Sequence, residues 1–109
     1  MHGIQLAEAK AQIFKALGHP SRLLLVEALA KRPHCVCELV KTVPGTQATT
    51  SRHLDVLLRA GVVRRHKEGV KTMYELALPC VLKALPCITE ALKKRVASQV
   101  ILLRKESRT

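Results

Sequence analysis

Apolar residues recur at helical spacing at Ile4, Ala7, Ala11, Phe14 and Leu17, until Gly18 and Pro20 stop the pattern. The chain restarts at His19-Pro20-Ser21, and Leu23, Leu24, Val26, Ala28 and Leu29 predict a second, mostly buried helix that ends near Lys31-Arg32-Pro33. A short helix over 35–41 then runs into the break Val43-Pro44-Gly45. Thr46 is placed to cap a fourth helix, with Leu54, Leu57 and Leu58 on its apolar face and Gly61 at its end. The pattern next changes to alternation: a strand over 62–66, a turn at Lys67-Glu68-Gly69-Val70, and a return through Thr72, Tyr74 and Leu76. From Pro79 onward Leu85, Ile88, Leu92, Val96, Val100 and Leu103 resume helical spacing before a polar tail over 104–109.

The segment Ala77-Leu78-Pro79-Cys80-Val81-Leu82 is echoed seven residues later by Ala84-Leu85-Pro86-Cys87-Ile88. This is too short for a repeat architecture. Pro79 suits the first turn of a helix, whereas Pro86 would fall inside it, so a kink or restart is expected there.

Composition narrows what this order of elements can do. The 109 residues carry 19 Lys+Arg and 8 Asp+Glu, a formal charge of 19 − 8 = +11, and 48% of them are hydrophobic. One small domain over 1–109 is expected, too small for a deep catalytic cleft. Phe14 and Tyr74 are the only aromatic residues, which argues against modules that stack bases on rows of aromatic side chains. No apolar run reaches the ~20 residues that span a bilayer, and the start of the chain lacks an export signal, so a cytoplasmic protein with no membrane partner is expected. The excess of positive charge calls for a polyanionic partner.

Two helices joined by a Pro-Gly break, the second opening with Thr, Gln, Ser, Arg and His, have the form of a helix-turn-helix that enters a major groove of double-stranded DNA. The basic hairpin that follows makes it a winged helix-turn-helix: mainly α with a β-hairpin wing, in the order α-α-α-α-β-β-α. The plainer alternative is a polar helix cap beside a solvated basic face. Gln47, Thr49 and Thr50 stand where short polar side chains can reach base edges, Gln to adenine being a favoured pairing. Ser51, Arg52 and His53 are candidates for phosphate, although His53 serves equally well as a helix residue that holds the fold. Arg64, Arg65, Lys67 and Lys71 on the hairpin can neutralise phosphates, which positions the protein without specifying sequence. The first and last helices carry apolar stripes that a symmetric homodimer would bury.

Three strings occur in order: Leu17-Gly18-His19-Pro20-Ser21-Arg22-Leu23, then Cys35-Val36-Cys37-Glu38-Leu39, then residues 50–63 from Thr50-Ser51-Arg52-His53-Leu54 to Ala60-Gly61-Val62-Val63. Together they resemble the ArsR/SmtB family of metal- and metalloid-responsive repressors over most of the chain, about residues 14–78. The resemblance implies a homodimeric repressor, not an enzyme, that binds an operator of inverted symmetry and leaves it when an inducer binds.

Within that resemblance, Cys35-Val36-Cys37 is similar to the Cys-x-Cys signature of the family's arsenite, antimonite, cadmium and lead sensors. With no export signal the four cysteines, Cys35, Cys37, Cys80 and Cys87, are read first as thiols. Residues i and i+2 of a regular helix point about 200° apart, so both sulfurs can meet one ion only at a frayed end or after local unwinding. That conflict would couple ion binding to the helix carrying Gln47 and Arg52. The chain departs from one family pattern: Val40 stands where a third cysteine would follow, so Cys80 or Cys87, from the same or the partner subunit, must complete a site. In a continuous helix those two are about 10.5 Å apart in rise, so at most one joins a given ion. Three thiolates suit arsenite or antimonite as inducer, ahead of cadmium, lead or zinc; cadmium or zinc would seek a fourth ligand such as His34. The family's other zinc site uses Asp and His on the last helix, and neither occurs after Leu78.

Two rival readings use the same thiols. Flanked by Arg32 and His34, they suit a redox or persulfide switch, whose mark would be a disulfide between Cys35 or Cys37 and Cys80 or Cys87. An enzyme would need a positioned base and an oxyanion site, and the sequence shows no orienting group for either.

Overall fold

Helix α1 (Gly3–Leu17) ends where Gly18 turns its N–H back to the Lys15 carbonyl, and α2 (Pro20–Lys31) starts with Pro20 in its first turn. His19 caps α2, its Nδ1 accepting the N–H of Ser21 at 3.1 Å. The computed structural model describes residues 2–107, without the side chains of 102, 103 and 105–107. Leu103 and the polar tail therefore fall wholly or partly outside the described residues.

The next element departs from expectation. Instead of entering a helix at Cys35, the chain forms a two-residue strand β1 (His34–Cys35), followed by a single-turn helix α3 (Val36–Leu39) and a 3₁₀ turn (Val40–Thr42). β1 pairs antiparallel with the returning strand of the hairpin, His34 opposite Tyr74 and Cys35 opposite Met73. Two residues carry no legible alternation, so this strand is set by its partner and not by its own pattern.

Helix α4 (Gln47–Arg59) follows the Pro44-Gly45 break, and Gly61, at φ +79, ends the turn beyond it. Strands β2 (Val63–Glu68) and β3 (Lys71–Leu76) then complete a three-stranded sheet of order β1-β3-β2. The wing turns on Gly69-Val70 alone, so Lys67 and Glu68, expected in the turn, belong to β2. Gly69 has φ +62 in the first position of this two-residue turn, a conformation that glycine adopts without a Cβ penalty.

Leu25 and Val26 of α2, Leu39 of α3, Leu54 and Leu57 of α4, and Val62 and Val63 at the start of the wing are fully buried. The core is aliphatic, with Tyr74 as its aromatic member. It fixes the angle between α2, α3, α4 and the sheet, and so fixes where the outer face of α4 points.

The chain divides after Pro79 into two units. The second contains α5 (Val81–Ser107), which runs through Pro86 with no restart. Pro86 is the sixth residue of this helix, and its missing N–H deprives only the Leu82 carbonyl of a partner. α5 exposes Ile88, Leu92, Val96 and Val100; in the first unit α1 exposes Ile4 and Phe14, the latter 73% accessible. No helix among the described residues is long and apolar enough to cross a membrane.

Candidate DNA-reading surface and thiol site

The start of α4 is locked by its cap. Thr46 Oγ1 accepts the Thr49 N–H and Thr49 Oγ1 accepts the Thr46 N–H, both at 3.2 Å, with the two hydroxyls 2.7 Å apart. Gly45, at φ +105, makes the turn possible, and a Cβ there would stand 3.3 Å from Thr49 Oγ1. Thr49 is half-buried with its hydroxyl committed to this cap, while Gln47 and Ser51, one turn apart, are exposed, as is the neighbouring Arg52.

Two residues expected on that outer face lie elsewhere. Thr50 is 0% exposed and its Oγ1 donates to the Thr46 carbonyl at 3.1 Å, so it shares the inner face with Leu54 and cannot reach a base. His53 is half-buried, its ring centroid 4.4 Å from that of His19 and its Nδ1 3.4 Å from the Arg22 guanidinium. Its sequence position beside Arg52 suggests phosphate; its packing makes it a structural link instead. Burial pushes its pKa below the ordinary imidazole value, and His19, Arg22 and Arg52 push in the same direction.

Arg22 is the residue that sequence reasoning missed here. Its Nε donates to the Ala16 carbonyl at 2.6 Å and another nitrogen reaches the Lys15 carbonyl at 3.5 Å, so one guanidinium satisfies the end of α1 and touches α4. The signal was His19-Pro20-Ser21, an N-cap and a first-turn proline, which places Arg22 one residue further on.

The wing's four basic residues do not act as one set. Arg64 pairs with Glu75 across the sheet at 2.6 Å, which occupies its charge. Alternation puts Arg65 and Lys67 on one face with Thr72, and Arg64 and Lys71 on the other. Val70 at the tip is 99% exposed.

The thiol site begins with a backbone change. Cys35 is extended, at φ −80° and ψ 163°, and only the residues after it are helical. From the N-cap position its sulfur folds over the first turn and joins that of Cys37 in a disulfide, the Cα atoms 5.4 Å apart. The conflict expected for two cysteines inside a helix therefore does not arise, because Cys35 stands outside it. The pair is a disulfide here rather than two thiols, and its partners are not those expected of a redox mark: Cys80 and Cys87 remain free and exposed. Cys35 is 2% exposed, whereas Cys37 faces solvent.

Glu38 closes the site from below. Its Oε1 accepts the Cys35 N–H at 3.3 Å and its Oε2 takes a 2.7 Å ion pair from Arg32. The Arg32 hydrogen bond first, and then the Cys35 N–H, hold its carboxyl below the usual range. His34 Nδ1 lies 2.7 Å from the Arg32 carbonyl, which can only accept, so Nδ1 is the donor in this contact and Nε2 has no part in it. Among the described residues of the first unit, no third Cys, His, Asp or Glu joins the pair as a ligand set. In the second unit Cys80 lies just before α5, its carbonyl accepting the N–H of Lys83 and of Ala84, and Cys87 follows Pro86.

Comparison with known proteins fits this frame. The family described as bacterial regulatory protein, arsR family, matches residues 19–65, from the cap of α2 into β2. An uncharacterized HTH-type transcriptional regulator of Methanocaldococcus jannaschii is 36% identical over 84 residues, 76% of this chain and 94% of that protein. The crystal structure of Mycobacterium tuberculosis Rv0081 aligns with a TM-score of 0.76 at 33% identity, over 87% of this chain and 96% of that one. The cadmium resistance transcriptional regulatory protein CadC of Listeria innocua is 40% identical over 62 residues, 56% of this chain and 52% of that protein. A winged helix-turn-helix with this family match across its DNA-reading half, alike over nearly the full length of known transcriptional regulators, makes the chain a member of the ArsR/SmtB family of DNA-binding regulators, not of an enzyme family.

Proposed function

We propose that this repressor acts as a homodimer and leaves its operator when arsenite or antimonite binds the reduced Cys35/Cys37 pair. The observation that carries the reading is the convergence of the two sulfurs at the start of α3, a helix packed directly against α4. Reduction by a thiol pool converts the disulfide and two RSH into two cysteine thiols and RSSR. An ion held by both sulfurs, with Cys80 or Cys87 of either subunit as third ligand, would pull on the β1–α3 junction and shift α4. A coupling of about 1–3 kcal/mol, or about 5–150-fold in affinity, is the usual scale of such an effect.

The same site accounts for the alternatives. The likeness to a cadmium resistance regulator supports a thiophilic ion in general, cadmium, lead or zinc included, and cadmium or zinc could take His34 Nε2 as a fourth ligand. A second reading has its own support: the pair is joined here, so oxidation or a persulfide acting on these cysteines would itself be the signal. On the DNA side, Gln47 reads base edges, Ser51 and Arg52 hold phosphates, and Arg65, Lys67 and Lys71 draw the wing to the backbone. The exposed apolar faces of α1 and α5 form the dimer contact.

The test is fluorescence anisotropy of the reduced protein on its own promoter fragment, titrated separately with arsenite, antimonite, cadmium, lead, zinc and an organic persulfide. Release by near-stoichiometric arsenite or antimonite is expected. Release by cadmium or zinc alone moves the site to four-coordinate chemistry, release by lead alone replaces the metalloid with a metal inducer, and release by persulfide alone makes it a redox switch.

A further inference from the structure

The contact between His19, Arg22 and His53 lies outside the Cys35/Cys37 site, and it ties the polar side of α4 to the start of α2 and, through Arg22, to the end of α1. His19 Nδ1 accepts the backbone N–H of Ser21, and a backbone N–H can only donate. His53 Nδ1 faces the Arg22 guanidinium, which also can only donate. Both rings are thus committed as acceptors at Nδ1, and both must carry their single proton at Nε2. A second proton on either ring removes the acceptor that its contact needs.

Nothing acidic offsets that proton. His19 and Arg22 face His53 from the start of α2, and Arg52 adjoins it on α4. α1 contributes Lys15 at its last turn, and through Arg22 only the carbonyls of Lys15 and Ala16. The charged side chains of α3 and the start of β2, Glu38 and Arg64, are taken up by Arg32 and Glu75; Asp55 on α4 is paired with Arg59. Every other ionisable group that acts on the ring is a cation or another imidazole.

We propose that His19, Arg22 and His53 are positioning residues for the DNA-reading helix, and that they hold it only while the Nδ1 atoms accept these contacts, so that acid sufficient to protonate His53 weakens operator binding. This runs against the simple expectation for a basic DNA-binding protein, in which extra positive charge tightens the complex. It also differs in sign from a phosphate contact by His53, which would strengthen on protonation.

The experiment measures anisotropy on the promoter fragment from about pH 7.5 to about pH 5, a range that extends below the ordinary imidazole value, the side on which the lowered His53 gains its proton. The wild type is compared with the double variant His19→Asn, His53→Asn. Asparagine presents its carbonyl oxygen where Nδ1 stands, accepts the same hydrogen bond and does not titrate; at position 19 it is also a good N-cap. His66 on the wing is common to both proteins and cancels in the comparison. The wild type is expected to lose about tenfold in affinity relative to the variant across this range, with similar affinities at the alkaline end. Parallel pH profiles for the two proteins, or a wild type that gains on the variant in acid, would overturn the proposal. Should the variant fail to fold, nitrogen-detected NMR of the wild-type imidazoles decides: Nε2–H tautomers at both positions support the assignment, and an Nδ1–H tautomer at either removes it.

Discussion

Two pairs of cysteines lie in one chain, and they differ in everything except composition. Cys35 and Cys37 straddle the end of a strand and the start of a helix, one sulfur buried and one exposed, joined and capped by the Glu38–Arg32 pair. Cys80 and Cys87 are both exposed and free, a heptad apart around the start of α5. The difference teaches that spacing alone is a poor guide to thiol chemistry: a gap of two works because the backbone changes conformation between the residues. A gap of seven keeps its sulfurs apart because the helix does not break at Pro86.

The largest effect that would break this contrast is on induction. Cys35→Ser and Cys37→Ser are each expected to bind the promoter fragment normally and to lose release by arsenite entirely. Of Cys80→Ser and Cys87→Ser, only one should weaken release. If both spare it while Cys37→Ser abolishes it, the third ligand comes from outside the four cysteines.

Chemical accessibility sharpens the contrast next. In the unreduced protein, mass spectrometry after brief alkylation should find Cys80 and Cys87 labelled and Cys35 and Cys37 untouched. After reduction Cys37 should label well ahead of the buried Cys35. Simultaneous labelling of the pair would mean that Cys35 is not sheltered.

Stability provides a smaller effect. A bond that closes a loop over one intervening residue restricts the unfolded chain little, so reduction should lower unfolding free energy by at most about 1–2 kcal/mol. A urea titration with and without reductant measures it. A Leu54→Ala control, removing a fully buried side chain of α4, should cost about 2–5 kcal/mol.

The smallest effect is the acid dependence of Glu38. Its carboxyl ionises more readily folded than unfolded, so its contribution is present above the ordinary value of 4.5 and is lost as pH falls through the lowered folded value. Melting temperatures of Glu38→Gln should therefore decline less steeply with acid in that window than those of the wild type. Identical slopes would show that the carboxylate adds nothing to the cap.

Much of this architecture is legible in the chain, for reasons that particular residues make plain. Gly18-His19-Pro20, Val43-Pro44-Gly45 and Gly69 punctuate it where the backbone requires them, and Leu54 and Leu57 mark the inner face of α4. Thr50 misleads because a threonine among polar neighbours reads as surface, yet its hydroxyl can be satisfied by the carbonyl four residues back and its methyl packs inward. His53 misleads similarly, since its partners His19 and Arg22 are more than thirty positions away and no local pattern announces them. Strand β1 exists because β3 is there to pair with it, and without β1 the extended Cys35 cannot be foreseen.

The central claim is that the inducer is held by Cys35 and Cys37 together. Arsenic K-edge X-ray absorption on the reduced protein loaded with one equivalent of arsenite tests it at the atom concerned. An all-sulfur shell in the wild type that loses one sulfur in Cys37→Ser is the expected result; an unchanged shell in that variant would contradict the account.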